Sequence, residues 1–173
     1  MGPVSKLLFC FLFVMPNIKA FTVDIVNITT CKNSDDELGT LDTDIESEEA
    51  PDQLFNADFN LPMDLDKDTM VEYESNAWSK GKWKFLFKGK RSLCNSIMTT
   101  TAYARFANQV KPKFPKKCSI PEGDYKITRF PISGQYVVLS DIKKAPALVK
   151  HKVTLWVDDT IILCRIVYTN SNN

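Results

Sequence analysis

Apolar and polar residues alternate along several stretches of the 173-residue chain. The period is two, as in a strand with one face buried. Thr22–Cys31 and Met70–Ser75 alternate or run apolar with β-branched and aromatic residues, and both read as strands. Lys82–Lys88 is the plainest case, with Trp83, Phe85 and Phe87 on one side and Lys82, Lys84 and Lys88 on the other. If Met70–Ser75 pairs with it so that Val71 and Tyr73 share the aromatic face, parity calls for an odd connection. A loop of about three or five residues with Gly81 at positive φ would satisfy it.

Near the end of the chain, His151–Val157 and Thr160–Tyr168 read as a hairpin turning at Asp158-Asp159. A two-residue turn sets Val153, Leu155 and Val157 beside Cys164, Ile162 and Thr160, with Cys164 facing inward. One segment has a helical repeat: Asn95–Val110, where Met98, Ala102, Phe106 and Val110 recur every four residues before Pro112. The fold class predicted is mainly β, a sandwich or a cup made from one, with one short helix-bearing connection.

Residues 1–20 read as a secretory leader: Lys6, an apolar run from Leu7 to Met15, Pro16, and Ala20 before the expected new start at Phe21. The run is too short to span a bilayer, and no later stretch is longer. The expectation is a secreted, extracellular, soluble protein with one domain over 21–173. Of the 22 Lys and Arg, loss of Lys6 and Lys19 leaves 20 against 21 Asp and Glu, so overall charge draws the chain toward neither nucleic acid nor membrane. Charge is uneven along the chain, and 34–53 reads as an exposed acidic loop. Cys10 leaves with the leader, and Cys31, Cys94, Cys118 and Cys164 remain, an even number that reads as two disulfides. Asn27-Ile28-Thr29 is a glycosylation sequon, used if it is exposed and unused if it is hidden in a strand.

Chemistry has little to draw on. His151 is the only histidine and reads as a surface or strand-end residue, which leaves no His-based triad or zinc site. Asp158 and Asp159 read as turn residues rather than paired catalytic carboxylates. Asp64, Asp66 and Asp68 have calcium-loop spacing, but Thr69 and Ser75 stand where glycine and a bidentate glutamate are needed. Lys80–Arg91 mixes cations with rings as a single-strand nucleic-acid face does, which secretion argues against. No enzyme activity, catalytic residue, metal, cofactor or nucleic-acid partner is expected.

Cys94-Asn95-Ser96-Ile97, then Cys118 after a Lys/Pro-rich linker, then Gly123-Asp124-Tyr125 leading to Phe130, resembles an insect family of small secreted proteins, the CheA/CheB-type chemosensory-associated proteins. That family is itself similar to the ganglioside-activator and ML lipid-recognition proteins. The likeness covers about the last half of the chain. Cys118-Ser119-Ile120-Pro121 departs from it, since the family usually has proline directly after that cysteine. The resemblance implies an immunoglobulin-like β-cup whose sheets part to admit an apolar ligand, and no catalytic residues. With the short connection it favours a Cys94–Cys118 bridge, and Cys31–Cys164 follows by elimination. The leading expectation is a non-catalytic monomer that binds a lipid or other hydrophobic small molecule between two sheets, in a role such as chemosensory perception or lipid presentation. Tyr73, Trp83, Phe85, Phe87, Tyr125 and Leu155 are the expected wall residues, with Phe106 on a lid. The alternative is an extracellular protein-protein interaction module with a filled core, engaging a membrane receptor or channel through its surface.

Overall fold

The computed structural model describes residues 22–32, 36–46, 53–99, 101–115, 118–132 and 148–172. The leader at 1–20 lies outside the described residues, as do 34–35 and 47–52 of the acidic segment. Eight strands are described: β1 Thr22–Thr30, β2 Thr40–Ile45, β3 Leu54–Leu61, β4 Met70–Ser79, β5 Lys82–Ser92, β6 Gly123–Pro131, β7 Leu148–Val157 and β8 Thr160–Asn172. They form a five-stranded sheet in the order β1-β8-β7-β4-β5 and a three-stranded sheet in the order β2-β3-β6, with every neighbouring pair antiparallel. This is the mainly β, two-sheet sandwich that the alternation predicts.

The acidic segment is not wholly a loop. Its middle is β2, with Leu41, Thr43 and Ile45 half-buried and Asp42 and Asp44 exposed. A run of acids can still be a strand when every second residue is apolar or β-branched and the carboxylates all fall on the wet face.

The β4–β5 connection is a two-residue turn rather than an odd-length loop. Lys80 and Gly81 both take positive φ, 52° and 77°, as a tight hairpin with right-handed twist requires. The odd residue that parity demands appears instead as a bulge: Ser75 pairs with Phe87 and Asn76 with Phe85, leaving Leu86 unmatched. Phe87 therefore falls on the face of Ser75 and Tyr73, whereas Phe85 and Trp83 fall on the face of Trp78.

A second bulge alters the β7–β8 hairpin. Asp158-Asp159 makes the two-residue turn, and Val157 pairs with Thr160 as expected. Leu155, however, pairs with Leu163 and Trp156 with Ile161, which leaves Ile162 over and shifts every later pair by one. Cys164 then lies beside Thr154, with Thr154 Oγ1 and Cys164 Sγ 3.2 Å apart, not beside Val153. It is buried, but on the face opposite Leu155 and Leu163, because one inserted residue inverts the facing of those after it.

The helix-bearing connection is two pieces. Leu93–Ile97 forms a π-helical turn capped by Ser92, whose Oγ accepts from Asn95 N at 3.3 Å. Then comes α1, Thr101–Gln109. The β-branched run Thr99-Thr100-Thr101 is a poor helix interior and stands at the break. Cys94 bridges Cys118 (Cα–Cα 5.4 Å) and Cys31 bridges Cys164 (5.6 Å), the pairing expected.

Between the sheets, Ala57, Leu61, Tyr125 and Ile127 of the smaller sheet meet Ile162 of the larger, with Leu65, Leu93, Val110 and Ile120 closing one end. Two polar contacts tie the edges together. Gln53, fully buried, accepts from Ile25 N (2.9 Å) and donates to Ile25 O (2.8 Å), acting as an extra rung between β1 and the start of β3. Arg165 of β8 donates to Glu37 (2.6 Å) and to Leu41 O of β2 (3.2 Å), with both ionic side chains nearly buried.

Candidate functional site

Strand β3 reads Leu-Phe-Asn-Ala-Asp-Phe-Asn-Leu, and its odd-numbered residues Phe55, Ala57, Phe59 and Leu61 all face the larger sheet. Opposite them stand Leu155 of β7 and Leu163 of β8, brought onto one face by the bulge at Ile162. The two rows belong to one apolar core between the sheets. They wall an apolar cavity of about 600 Å³, within the range of roughly 300–1,000 Å³ usual for ligand pockets. Leu41 lines one side. Tyr103 and Phe106 of α1, Phe114, and Phe130 and Pro131 of β6 line the other. Leu65, Leu93 and Ile120 close the end tied by the Cys94–Cys118 bridge.

Of the residues predicted to form the walls, the structure brings two to the cavity, Leu155 and Phe106. Tyr125 is buried beside Phe59, its cross-strand partner, and is not among the lining residues; it stacks on Phe59 (5.4 Å) and lies edge-on to Phe114 (5.0 Å), with its hydroxyl donating to Pro121 O at 2.7 Å. Burial, and secondly the charge of Asp64, raises its pKa. Tyr73 meets Phe87 edge-on at 5.9 Å, away from the lining residues. Trp83 packs on Trp78 (5.1 Å) and Tyr168 (6.1 Å), with the Lys150 ammonium 5.0 Å from its ring centre. Phe85 is 62% exposed and Phe87 48%. The reading of Trp83, Phe85 and Phe87 as one inward face fails because the bulge at Leu86 splits them and because β5 is an edge strand among the described residues, with Phe85 and Phe87 exposed.

The residues missed are chiefly those of β3 and Leu163. For β3 the signal was present: four apolar residues alternate with Asn56, Asp58 and Asn60 over seven positions. Its Asp58 and the acids before and after it made it look like a continuation of the solvated segment. No sequence signal marks the bulge that turns Leu163 inward.

The cavity's polar groups are few. Arg105 is the only charged residue among the described lining residues; its side chain is exposed, which places it at the rim. Burial pushes the Tyr103 phenol up to about 12, so it is neutral at any physiological pH.

His151 is not a strand-end residue. It sits within β7, partly buried, with Nδ1 2.8 Å from Ser75 Oγ and Nε2 3.1 Å from Thr169 Oγ1. A neutral imidazole has one donor and one acceptor nitrogen, and a hydroxyl can meet either. Burial lowers its pKa below the ordinary 6.5. The folded state then resists a proton that the unfolded chain takes up near pH 6.5, so this stability is present above that pH and is lost as pH falls below it. Urea unfolding of the wild type should show stability declining from pH 7 toward pH 5, and His151→Gln should flatten that decline; an unchanged slope would rule out His151 as its source.

The sequon residue Asn27 is exposed on β1, an edge strand. Asp66 accepts from Asp68 N (2.9 Å) and Asp64 from Glu122 N (2.8 Å), so these carboxylates organise turns. Among the described residues no helix is long and apolar enough to cross a membrane. Compared with known proteins, the chain matches no family model and no curated sequence.

Proposed function

We propose that this protein is a secreted, non-catalytic binder of an elongated apolar molecule with an acidic head, held between the two sheets. The observation that carries this reading is the cavity itself: about 600 Å³ walled by aliphatic and aromatic carbon. A well-packed interior leaves few voids larger than a water, so space of this size argues for a guest. Burial of a hydrocarbon chain there would contribute about 0.8 kcal/mol per methylene. Arg105 at the rim suits a carboxylate or phosphate head. The leader reading and the two disulfides support an oxidising, extracellular setting. The cup-like resemblance of the second half of the chain points the same way.

The test is displacement of a fluorescent fatty acid by a long-chain fatty acid and by the corresponding alcohol. Ala57 faces the cavity, so Ala57→Phe should fill it, weakening both competitors more than tenfold while costing less than the roughly 1–3 kcal/mol of an overpacked core. Arg105→Ala should weaken the acid about two- to fivefold, as for an exposed ion pair, and leave the alcohol unchanged. Failure of the wild type to bind the probe would refute the proposal and favour a surface-interaction module.

A further inference from the structure

Strand β5 is an edge of the larger sheet, and among the described residues no strand pairs with its outer side. Phe85, Leu86 and Phe87 are consecutive and all exposed, and Trp78 across the hairpin is exposed as well. Three adjacent apolar side chains in water on an edge strand are an aggregation hazard, and proteins ordinarily cover or break up such a run. Here they are flanked by cations. Lys82, Lys84, Lys90 and Arg91 are exposed and form no ion pair among the described residues, and Lys88 is held by Glu72 at 2.7 Å. Every charged residue between Glu74 and Glu122 is a lysine or arginine. The opposite sign is gathered elsewhere: Asp42, Asp44, Asp58 and Asp124 stand exposed on the outer side of the three-stranded sheet.

We infer that the β4–β5 hairpin docks on an anionic lipid surface. Phe85, Leu86 and Phe87 would enter the headgroup boundary, and the lysines on either side would reach lipid phosphates and carboxylates, their stems lying along the apolar layer. Trp78 and Trp83, paired across the same hairpin, would supply indoles of the kind that settle in interfaces. Charge selects this occupant. A second copy pairing edge to edge through β5 would set its lysines against their own images, which is destabilising. An anionic polymer such as nucleic acid or a sulfated glycan would satisfy the cations but leave the Phe-Leu-Phe run without an apolar partner. A bilayer with acidic lipids meets both requirements. The inference is independent of whether the cavity holds a ligand.

The test is co-sedimentation of the full chain with vesicles of phosphatidylcholine alone and of phosphatidylcholine with phosphatidylserine, with tryptophan emission read in parallel. The wild type should bind the mixed vesicles much more tightly, release them at high salt, and shift its emission to the blue. Lys82→Ala with Lys84→Ala should weaken binding about 25-fold, roughly fivefold for each cation. Phe85→Ser with Leu86→Ser and Phe87→Ser, all exposed positions, should abolish the emission shift while lowering the unfolding midpoint only slightly and leaving the protein folded. Ala57→Phe should bind vesicles as the wild type does, which separates this surface from the cavity. No binding to either vesicle, binding indifferent to the triple serine change, or retention on heparin or DNA without vesicle binding would each overturn it.

Discussion

Removing the bridge between Cys31 and Cys164 is expected to destabilise the protein by about 5 kcal/mol, more than removing the other disulfide. The two cysteines lie 133 residues apart in sequence, against 24 for Cys94 and Cys118. In the chain-entropy model the longer loop restrains the unfolded chain more, and the shorter one corresponds to about 3.4 kcal/mol. The bridge also has a local task. It fastens the end of β1 to β8 where Cys31 N donates to Cys164 O, one residue from the Arg165–Glu37 pair that ties the larger sheet to the segment entering β2. The double change Cys31→Ala with Cys164→Ala should therefore loosen both sheets. Urea unfolding of the two double-alanine variants should rank them in that order, and the reverse order would show that the short bridge carries the fold.

The second large effect separates core from surface. Ile127 is 1% exposed and packs on the inner face of the smaller sheet within the core, so Ile127→Ala should cost roughly 2–5 kcal/mol. Phe87 has the larger side chain but lies on the edge strand half in water, and Phe87→Ala should cost under about 1 kcal/mol. Sequence pattern alone ranks the two the other way, because Phe87 belongs to the most regular aromatic alternation in the chain. Equal losses would mean that the β5 rings are covered in solution.

The reason for that misranking is general to this molecule. Period-two alternation correctly marked β1, β4, β5, β7 and β8 as strands. It could not say that β5 ends its sheet with Phe85, Leu86 and Phe87 exposed. Nor could it register the unmatched residues Leu86 and Ile162, each of which inverts the facing of the residues beyond it. Those two bulges explain why Phe85 left the expected wall and Leu163 joined it. The strands β2 and β3 were hidden by composition: their acids all lie on the solvent face, so the total looked like a loop while the alternation was intact. Gln53 and Glu37 are legible only in three dimensions, since their partners are backbone and side-chain groups 28 and 128 residues away. Leu155 and Phe106 line the cavity: Phe106 keeps its place in the helical repeat, and Leu155 keeps its facing although the bulge changes its partner from Ile162 to Leu163.

The most direct measurement is native mass spectrometry of the full chain after incubation with an equimolar mixture of a long-chain fatty acid, the matching alcohol and a water-soluble short-chain acid. A cavity of about 600 Å³ with Arg105 at its rim requires one bound equivalent, the long-chain acid ahead of the alcohol, and none of the short acid. In Ala57→Phe that adduct should disappear while the charge-state distribution stays that of the folded protein. A chain that remains folded and carries no adduct from any of the three, or binds the short acid as readily as the long one, would contradict a ligand site between the sheets.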